Sequence, residues 1–284
     1  MTKDISIVVI ETDSHELAKQ AIDRTLQCVD AKEVITVSDK EFYSGARNVY
    51  IHCGTPFDKI CQMMLKGMGN IVNTEHALFV QWDGMAYDKN MWDDDFLKFD
   101  YIGAPWPFIV TDNKVGNGGF SLRSKKLMDK LTSDPRIKIG GTFGHSEDAI
   151  ICQQERKYLE YKYGIEFADI DTASRFSLEI GDFRNSFGFH GPWNVIRCME
   201  EQFAIEYIDN MPLRVWADVY KCRELLHSCV EVDKPLMLEL CLSKISLHSP
   251  EIFPKLEVAI DMYVGEKIKH LIPELKIRIT KCYN

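Results

Sequence analysis

The chain opens on a nearly continuous apolar run, Ile5 to Ile10, rich in β-branched residues. A strand buried on both faces of a parallel sheet has this pattern. Leu17, Ala18, Ala21, Ile22, Thr25, Leu26 and Val29 then repeat with helical period, and Asp13 and Glu16 stand at capping-box spacing. Strands are predicted over Glu33–Ser38 and Val49–Ile51. Thr55-Pro56 opens a helix with proline at its first position, Phe57, Ile60, Cys61, Met64 and Met68 on one face, and Gly67 and Gly69 at its end. Ala77–Val80 is the next buried strand and runs into Gln81-Trp82-Asp83-Gly84. This alternation predicts an α/β fold with a mostly parallel, right-handed sheet flanked by helices. Ligands of such sheets bind beyond the carboxyl ends of the strands, which here carry Glu11-Thr12, Ser38-Asp39 and Gln81–Asp83.

From residue 100 the pattern changes. Phe99–Gly103 predicts a strand leading into Ala104-Pro105-Trp106, followed by the glycine-rich stretch Val115–Phe120. Helices are predicted over Leu122–Leu131 and Ser146–Tyr161, a loop over Ile137–Gly144, and strands over Ile165–Ile170 and Phe187–His190. Beyond Trp193 only Gly265 remains of the glycines, and 194–208, 212–229, 234–246, 250–262 and 264–281 have helical spacing, with Pro212 and Pro250 at helix starts. The expected organisation is an α/β domain over 1–193 and a helical appendage over 194–284. Leu213, Trp216, Val219 and Tyr220 of the appendage need a partner surface, on the sheet domain or on a second subunit of a homodimer.

Composition narrows the class. At 284 residues, 45% hydrophobic and 27% charged, the chain can bury a sizeable core, which excludes disorder. A net charge of −9 without any dense Lys/Arg stretch disfavours a nucleic-acid grip built on phosphate neutralisation, and equally an anionic membrane surface. The nine cysteines are irregularly spaced and lack a CxxC pair, so they read as buried hydrophobes of a reduced compartment rather than a zinc site. The first apolar run is too short for a signal peptide and no run is long enough to span a bilayer, so a cytoplasmic location is expected, the host cytoplasm for a viral source.

Four features carry candidate chemistry. Asp83 follows a buried strand, where a carboxylate at the ligand edge suits a diphosphate-bound Mn²⁺ or Mg²⁺; taken alone, an Asp before Gly is more often a turn former. Val115–Ser124 reads VGNGGFSLRS: adjacent glycines admit close backbone approach, and Asn117 both donates and accepts, as sugar hydroxyls require; a lone NGG is more often a hairpin turn. Ser146-Glu147-Asp148 places carboxylates at a helix start, where one suits a general base; the bland alternative is a serine cap with acids complementing the helix dipole. Phe187–Trp193 sets His190 just after a strand, as a metal ligand or as a turn histidine beside a core tryptophan; a mixed Asp/His set fits Mn²⁺ better than Ca²⁺.

With these residues in hand, the chain resembles a group of GT-A-like glycosyltransferases known mainly as a domain of unknown function. The matching stretches are FVQWDG, FDYIGAPW, VGNGGFSLRS, SEDAIIC, ASRFSLE and FGFHGPW, in the family's order, over roughly residues 5–194. The resemblance implies a nucleoside diphosphate sugar as donor and a divalent metal. Asp83 is similar to the last Asp of the DxD metal motif, with Gln81 where the first Asp usually stands, and His190 is similar to the histidine that completes the metal shell. Glu147-Asp148 resembles the ED pair of inverting enzymes, in which the Asp is usually the base.

The expected reaction is sugar transfer to an acceptor hydroxyl, a glycan foremost, with Asp83 and His190 on the metal and Asp148 deprotonating the acceptor. Glu147 would be catalytic with Asp148, Thr12 and Asp39 would meet the nucleoside, Gln81, Asn117, Gly118 and Gly119 would shape the donor pocket, and Arg123 and Lys114 would contact phosphate. Three alternatives remain at this point. One is a retaining transferase with the same metal site. Another is an inactive sugar-binding or scaffold protein, which the Gln81 departure favours. The third is a nucleotidyltransferase, against which the acidic, glycine-free ETDSHE after the first strand argues.

Overall fold

The computed structural model describes residues 3–109, 114–140, 146–181 and 184–256, with positions 258, 277 and 281. The chain divides into two compact units, Met1–His190 and Gly191–Asn284.

The first unit is built on a six-stranded sheet of order β3-β2-β1-β4-β7-β6. Strand β1 (Lys3–Ile10) is followed by helix α1 (His15–Cys28), β2 (Ala31–Ser38), β3 (Arg47–Tyr50), α2 (Phe57–Lys66), α3 (Met68–Ile71) and β4 (His76–Val80). These four strands are parallel, with Val9 level with Val80 and Ile10 with Val37, so their carboxyl ends share one edge. The buried run of β1 packs between layers as its composition predicts, and Val8, Ile35, Val37 and Phe79 meet Met64 and Met68 on one face. The predicted cap at Asp13 is replaced. Ser14 occupies the cap position, and the Glu11 carboxylate accepts the backbone N–H groups of Thr12, Asp13 and Ser14 at 2.9, 2.7 and 2.9 Å. Pro56 sits at the cap of α2 rather than inside its first turn.

After β4 the chain makes β5 (Gly84–Ala86), two short 3₁₀ turns, β6 (Tyr101–Gly103), β7 (Ser121–Ser124) and α4 (Lys125–Ser133). The predicted helix over Leu122–Leu131 therefore begins three residues late: β7 fills the slot between β4 and β6, antiparallel to both. All four of its residues are buried, including Arg123, so the polar–apolar alternation that marks a strand is absent. Ser124 then caps α4 by accepting Leu127 N–H at 3.0 Å.

The predicted helix over Ser146–Tyr161 is interrupted: α5 (Glu147–Ala149) passes into a π-helical turn over Ile150–Gln154 before α6 (Arg156–Tyr163). Glu155 N–H reaches back to Ile150 O at 2.8 Å, and the wider turn buries Ile150, Ile151 and Cys152 in succession. The predicted strand over Ile165–Ile170 keeps only a bridge from Phe167 to Tyr101. Asp169 instead accepts Thr172 N–H at 2.8 Å and starts α7 (Ile170–Phe176). Strands β8 (Ser177–Leu178) and β9 (Gly188–His190) then join β5 in a second sheet of order β5-β9-β8. Phe96, Phe120, Phe176 and Phe187 pack beneath this sheet, with ring centroids 5.1 to 6.3 Å apart in the contacting pairs.

The second unit is helical: α8 (Pro192–Cys198), α9 (Glu201–Asp209), α10 (Leu213–Trp216), α11 (Val219–Glu231) and α12 (Pro235–His248). The single helices predicted over 194–208 and 212–229 are each split. The second breaks where Asp218 caps α11 by accepting Lys221 N–H at 3.1 Å. Its core holds Trp216, Leu225, Leu226, Cys229 and Cys241, and a buried Arg197 bonded to Glu231 at 2.6 Å. The helix predicted over 264–281 lies outside the described residues apart from Ile277 and Lys281, as do Gly141 and Gly144 of the predicted loop. No helix among the described residues is long and apolar enough to cross a membrane.

Candidate functional site

The site begins where β4 leaves the sheet. Gln81 and Gly84 exchange two 3.0 Å backbone hydrogen bonds, so Trp82 and Asp83 form the turn. β5 pairs antiparallel with β9, Gly84 opposite His190. That register sets Asp83 Oδ1 3.7 Å from His190 Nε2. β8 lies parallel on the other side of β9 and delivers Glu179, whose Oε1 is 3.1 Å from His190 Nδ1. Burial works against the imidazolium, but the Asp83 charge and the Glu179 hydrogen bond outweigh it and push the His190 pKa up to about 9.

The glycine-rich stretch closes over this cluster. Asn117 Nδ2 lies 3.1 Å from His190 Nδ1, and Asn117 Oδ1 accepts Gly119 N–H at 3.0 Å. A Cβ on Gly119 would sit 2.2 Å from His190 Nε2, so only glycine lets the imidazole approach. Gly118 faces the other way. Its N–H donates to Asp148 Oδ2 at 2.8 Å, and a Cβ there would lie 2.6 Å from Glu147 Oε1.

Asp148 and Glu147 thus take different parts. The Asp148 carboxylate accepts from Gly118 N–H, from Ala149 N–H at 2.7 Å and from the Ser146 hydroxyl. Ser146 therefore binds Asp148 and leaves the helix start without a side-chain cap. Glu147 is buried and bonded at 2.9 Å to Arg123, which is 1% exposed. The guanidinium lies 4.2 Å from the Phe79 ring centroid and 5.3 Å from that of Tyr101, and its Nε donates to Ser121 Oγ. Arg123, expected to contact phosphate, lies beneath the glycine turn rather than at a surface; phosphate contact would require its pair with Glu147 to open. Burial raises the Glu147 carboxyl above its ordinary value, with the Asp148 charge adding to the rise, against the pull of Arg123.

An open cleft of about 700 Å³ brings these parts together. Asn117, Gly118, Gly119, Asp148 and His190 form its polar side, with Gln81 and Glu147. Val8 and Ile10 of β1 and Phe57, Ile60 and Met64 of α2 form its apolar side, and Phe57 is 69% exposed. Asp83 adjoins the cleft through His190. Thr12 and Asp39 lie outside its walls: Asp39 is paired with His15 at 3.0 Å, and Thr12 follows the caged Glu11. The residues missed by sequence reasoning are Glu179 and the apolar wall of α2. Phe57 and Ile60 were visible as a helix face, whereas Glu179 depends on the pairing of β8 with β9.

A protein-family model described as "Protein of unknown function (DUF5672)" matches residues 59–190. No curated protein sequence matches the chain. Among solved structures, the chain is similar to the galactosyltransferase LgtC in complex with donor and acceptor sugar analogs, at 12% identity over 72% of this chain and 94% of that one, with a TM-score of 0.42. It is similar also to the mannosyltransferase PcManGT from Pyrobaculum calidifontis in complex with GDP-Man and Mn²⁺, at 9% identity over 99% and 84%, with a TM-score of 0.43. A third is glucosyl-3-phosphoglycerate synthase from Mycobacterium tuberculosis with Mn²⁺ and UDP, at 15% identity over 58% and 68%, with a TM-score of 0.38.

Proposed function

We propose that the chain is a metal-dependent glycosyltransferase of the GT-A kind, moving a sugar from a nucleoside diphosphate sugar to an acceptor hydroxyl with inversion. The observation that carries this reading is the convergence on one cleft of Asn117–Gly119, Asp148 and His190, the last backed by Asp83. These are three separated stretches, each resembling a motif of that class.

The donor set suits a hard divalent cation. Asp83 and, once a metal displaces the Nε2 proton, His190 offer an oxygen and a nitrogen 3.7 Å apart, with Glu179 at the other ring nitrogen. Among the described residues no group of three or more His, Cys, Asp or Glu side chains is arranged to hold a metal ion. Bound there, Mn²⁺ or Mg²⁺ would neutralise the charge of the leaving diphosphate. Glu179 orients the His190 ring through Nδ1. Asn117 and the turn backbone bind sugar hydroxyls, while Phe57 and Ile60 give the base an apolar wall. A donor extending past Ile10 along the sheet edge reaches Thr12 and Asp39. In the transfer, the acceptor oxygen forms a bond to the anomeric carbon, whose bond to the diphosphate oxygen breaks, the electron pair leaving with the diphosphate. The acceptor proton passes to Asp148 Oδ2.

A second reading, a sugar-binding protein without turnover, is favoured by Gln81 at the usual position of an Asp and by the three protein donors on Asp148. The two separate in one experiment. A panel of uridine and guanosine diphosphate sugars is titrated by calorimetry with Mn²⁺ and with a chelator, and turnover is followed by NMR. The transferase reading expects metal-enhanced binding that Asp83→Ala and His190→Ala abolish, and an inverted product. Asp148→Asn should bind donor normally yet turn over about 10²–10⁴-fold more slowly. Equal binding with and without metal removes the metal role, a retained anomer removes Asp148 as base, and binding with no turnover leaves the second reading.

A further inference from the structure

A second cleft of about 690 Å³ lies in the same unit, between the excursion that follows β6 and the corner joining α7 to β8. The excursion is a built feature. Pro105 bridges to Val115, and Trp106 N–H donates to Lys114 O at 2.6 Å. Trp106 is pinned by its own loop, since a Cβ on Gly116 would lie 2.2 Å from the indole. Across the cleft Ser177 is 1% exposed and its Oγ has no hydrogen-bond partner. A buried hydroxyl left in that state is a place for a polar ligand group. Lys114 and Arg184 also line the cleft, and neither side chain forms an ion pair among the described residues. In a chain of net charge −9, two cations outside any ion pair line this cavity, against one carboxylate, Glu179, whose Oε1 is 3.1 Å from His190 Nδ1; that excess of positive charge marks the cavity for an anion.

Glu179 joins the two clefts. It lines the second while its Oε1 bonds His190, which lines the first. A molecule held in the second cleft is thus one side chain away from the centre described above. We propose that the second cleft is the acceptor subsite and takes a saccharide bearing an anionic group, a phosphate or a carboxylate. The term acceptor rests on the transferase reading; the binding of an anionic saccharide does not. Pro105 and Trp106 provide the apolar surface for a pyranose face, Ser177 Oγ bonds a hydroxyl, and Lys114 and Arg184 hold the charge. The reacting hydroxyl reaches past Glu179 and His190 into the first cleft.

The test is calorimetry on the full chain without any donor, using glucose 6-phosphate, glucuronic acid, glucose and inorganic phosphate. The expected result is that one or both anionic sugars bind at least tenfold more tightly than glucose and than inorganic phosphate; which of the two wins identifies phosphate or carboxylate. Lys114→Ala and Arg184→Ala should each weaken that binding about tenfold, as loss of a charge-assisted contact does. Binding of uridine diphosphate with Mn²⁺ should be unchanged in Arg184→Ala. The proposal is overturned if glucose and the anionic sugars bind alike or not at all, if inorganic phosphate binds as tightly as the sugar phosphate, or if the double variant binds like wild type. If an anionic sugar binds as expected and no nucleotide sugar is ever transferred to it, the anion-binding subsite stands and the transferase reading falls.

Discussion

Gly118 and Gly119 are adjacent, yet they press against different chemistry. A Cβ at position 118 would meet Glu147 Oε1 and Arg123 Nη2 at 2.6 and 2.9 Å, whereas one at 119 would meet the imidazole of His190. The first cluster pairs one buried guanidinium with one carboxylate at 2.9 Å, with two aromatic rings around them. The second sets Asp83 and Glu179 on either side of one imidazole that lines the cleft. A buried guanidinium–carboxylate pair holds the backbone in place. An imidazole between carboxylates beside a cleft offers donor atoms to something that binds. On this difference rests the proposal that Glu147 and Arg123 serve architecture and that Asp83, His190 and Glu179 serve ligand chemistry.

The largest test removes one partner from each cluster. Glu147→Gln leaves Arg123 buried without its counter-charge, a change that costs about 3–5 kcal/mol. Asp83→Asn leaves His190 its Glu179 partner and should cost less, about 1 kcal/mol. Urea denaturation measures both, and similar losses would erase the distinction between the clusters. A finer test places a methyl group at each glycine. Overpacking costs about 1–3 kcal/mol, and Gly118→Ala should show that loss with metal-dependent nucleotide binding retained. Gly119→Ala should do the reverse, melting within a few degrees of wild type while the Mn²⁺ enhancement of nucleotide binding falls more than tenfold.

The smallest expected effect comes from a carboxylate outside both clusters. Asp134 accepts from Arg136 N–H and from the Tyr158 and Tyr163 hydroxyls at 2.8 to 2.9 Å. Burial pushes its carboxyl up, but these hydrogen bonds outweigh it and hold the folded pKa below the ordinary 3.8. Stability from this group is therefore complete above the unfolded value and is lost as pH falls through the folded one. Asp134→Asn should narrow the gap between urea midpoints measured at pH 5 and at pH 2.5. An unchanged gap would mean that these hydrogen bonds do not hold the Asp134 carboxylate charged in this fold.

Much of the sheet was legible because β1, β2 and β4 are buried on both faces and read as apolar runs. β7 was not, since its Arg123 is an inward-facing charge satisfied by a residue 24 positions away. The same contact explains why Arg123 looked like a phosphate ligand: a cation after a glycine turn is visible in sequence, its burial is not. Asp83 and His190 could be named separately, but their approach depends on the register that sets Gly84 against His190. Glu179 was hidden for a like reason. It reaches His190 through a two-residue parallel strand too short to leave a periodic trace.

The caged Glu11 has a consequence for what the protein ignores. Three backbone N–H groups at the head of a helix form a turn that attracts small anions, and free phosphate accompanies nucleotides everywhere. By folding its own carboxylate into that turn, the chain acts as a tethered competitor there, at an effective concentration of about millimolar or more. A stray anion gains nothing at α1 until it evicts a group it cannot dilute. The anion-attracting turn at the end of the sheet's first strand is thus filled by the chain's own carboxylate.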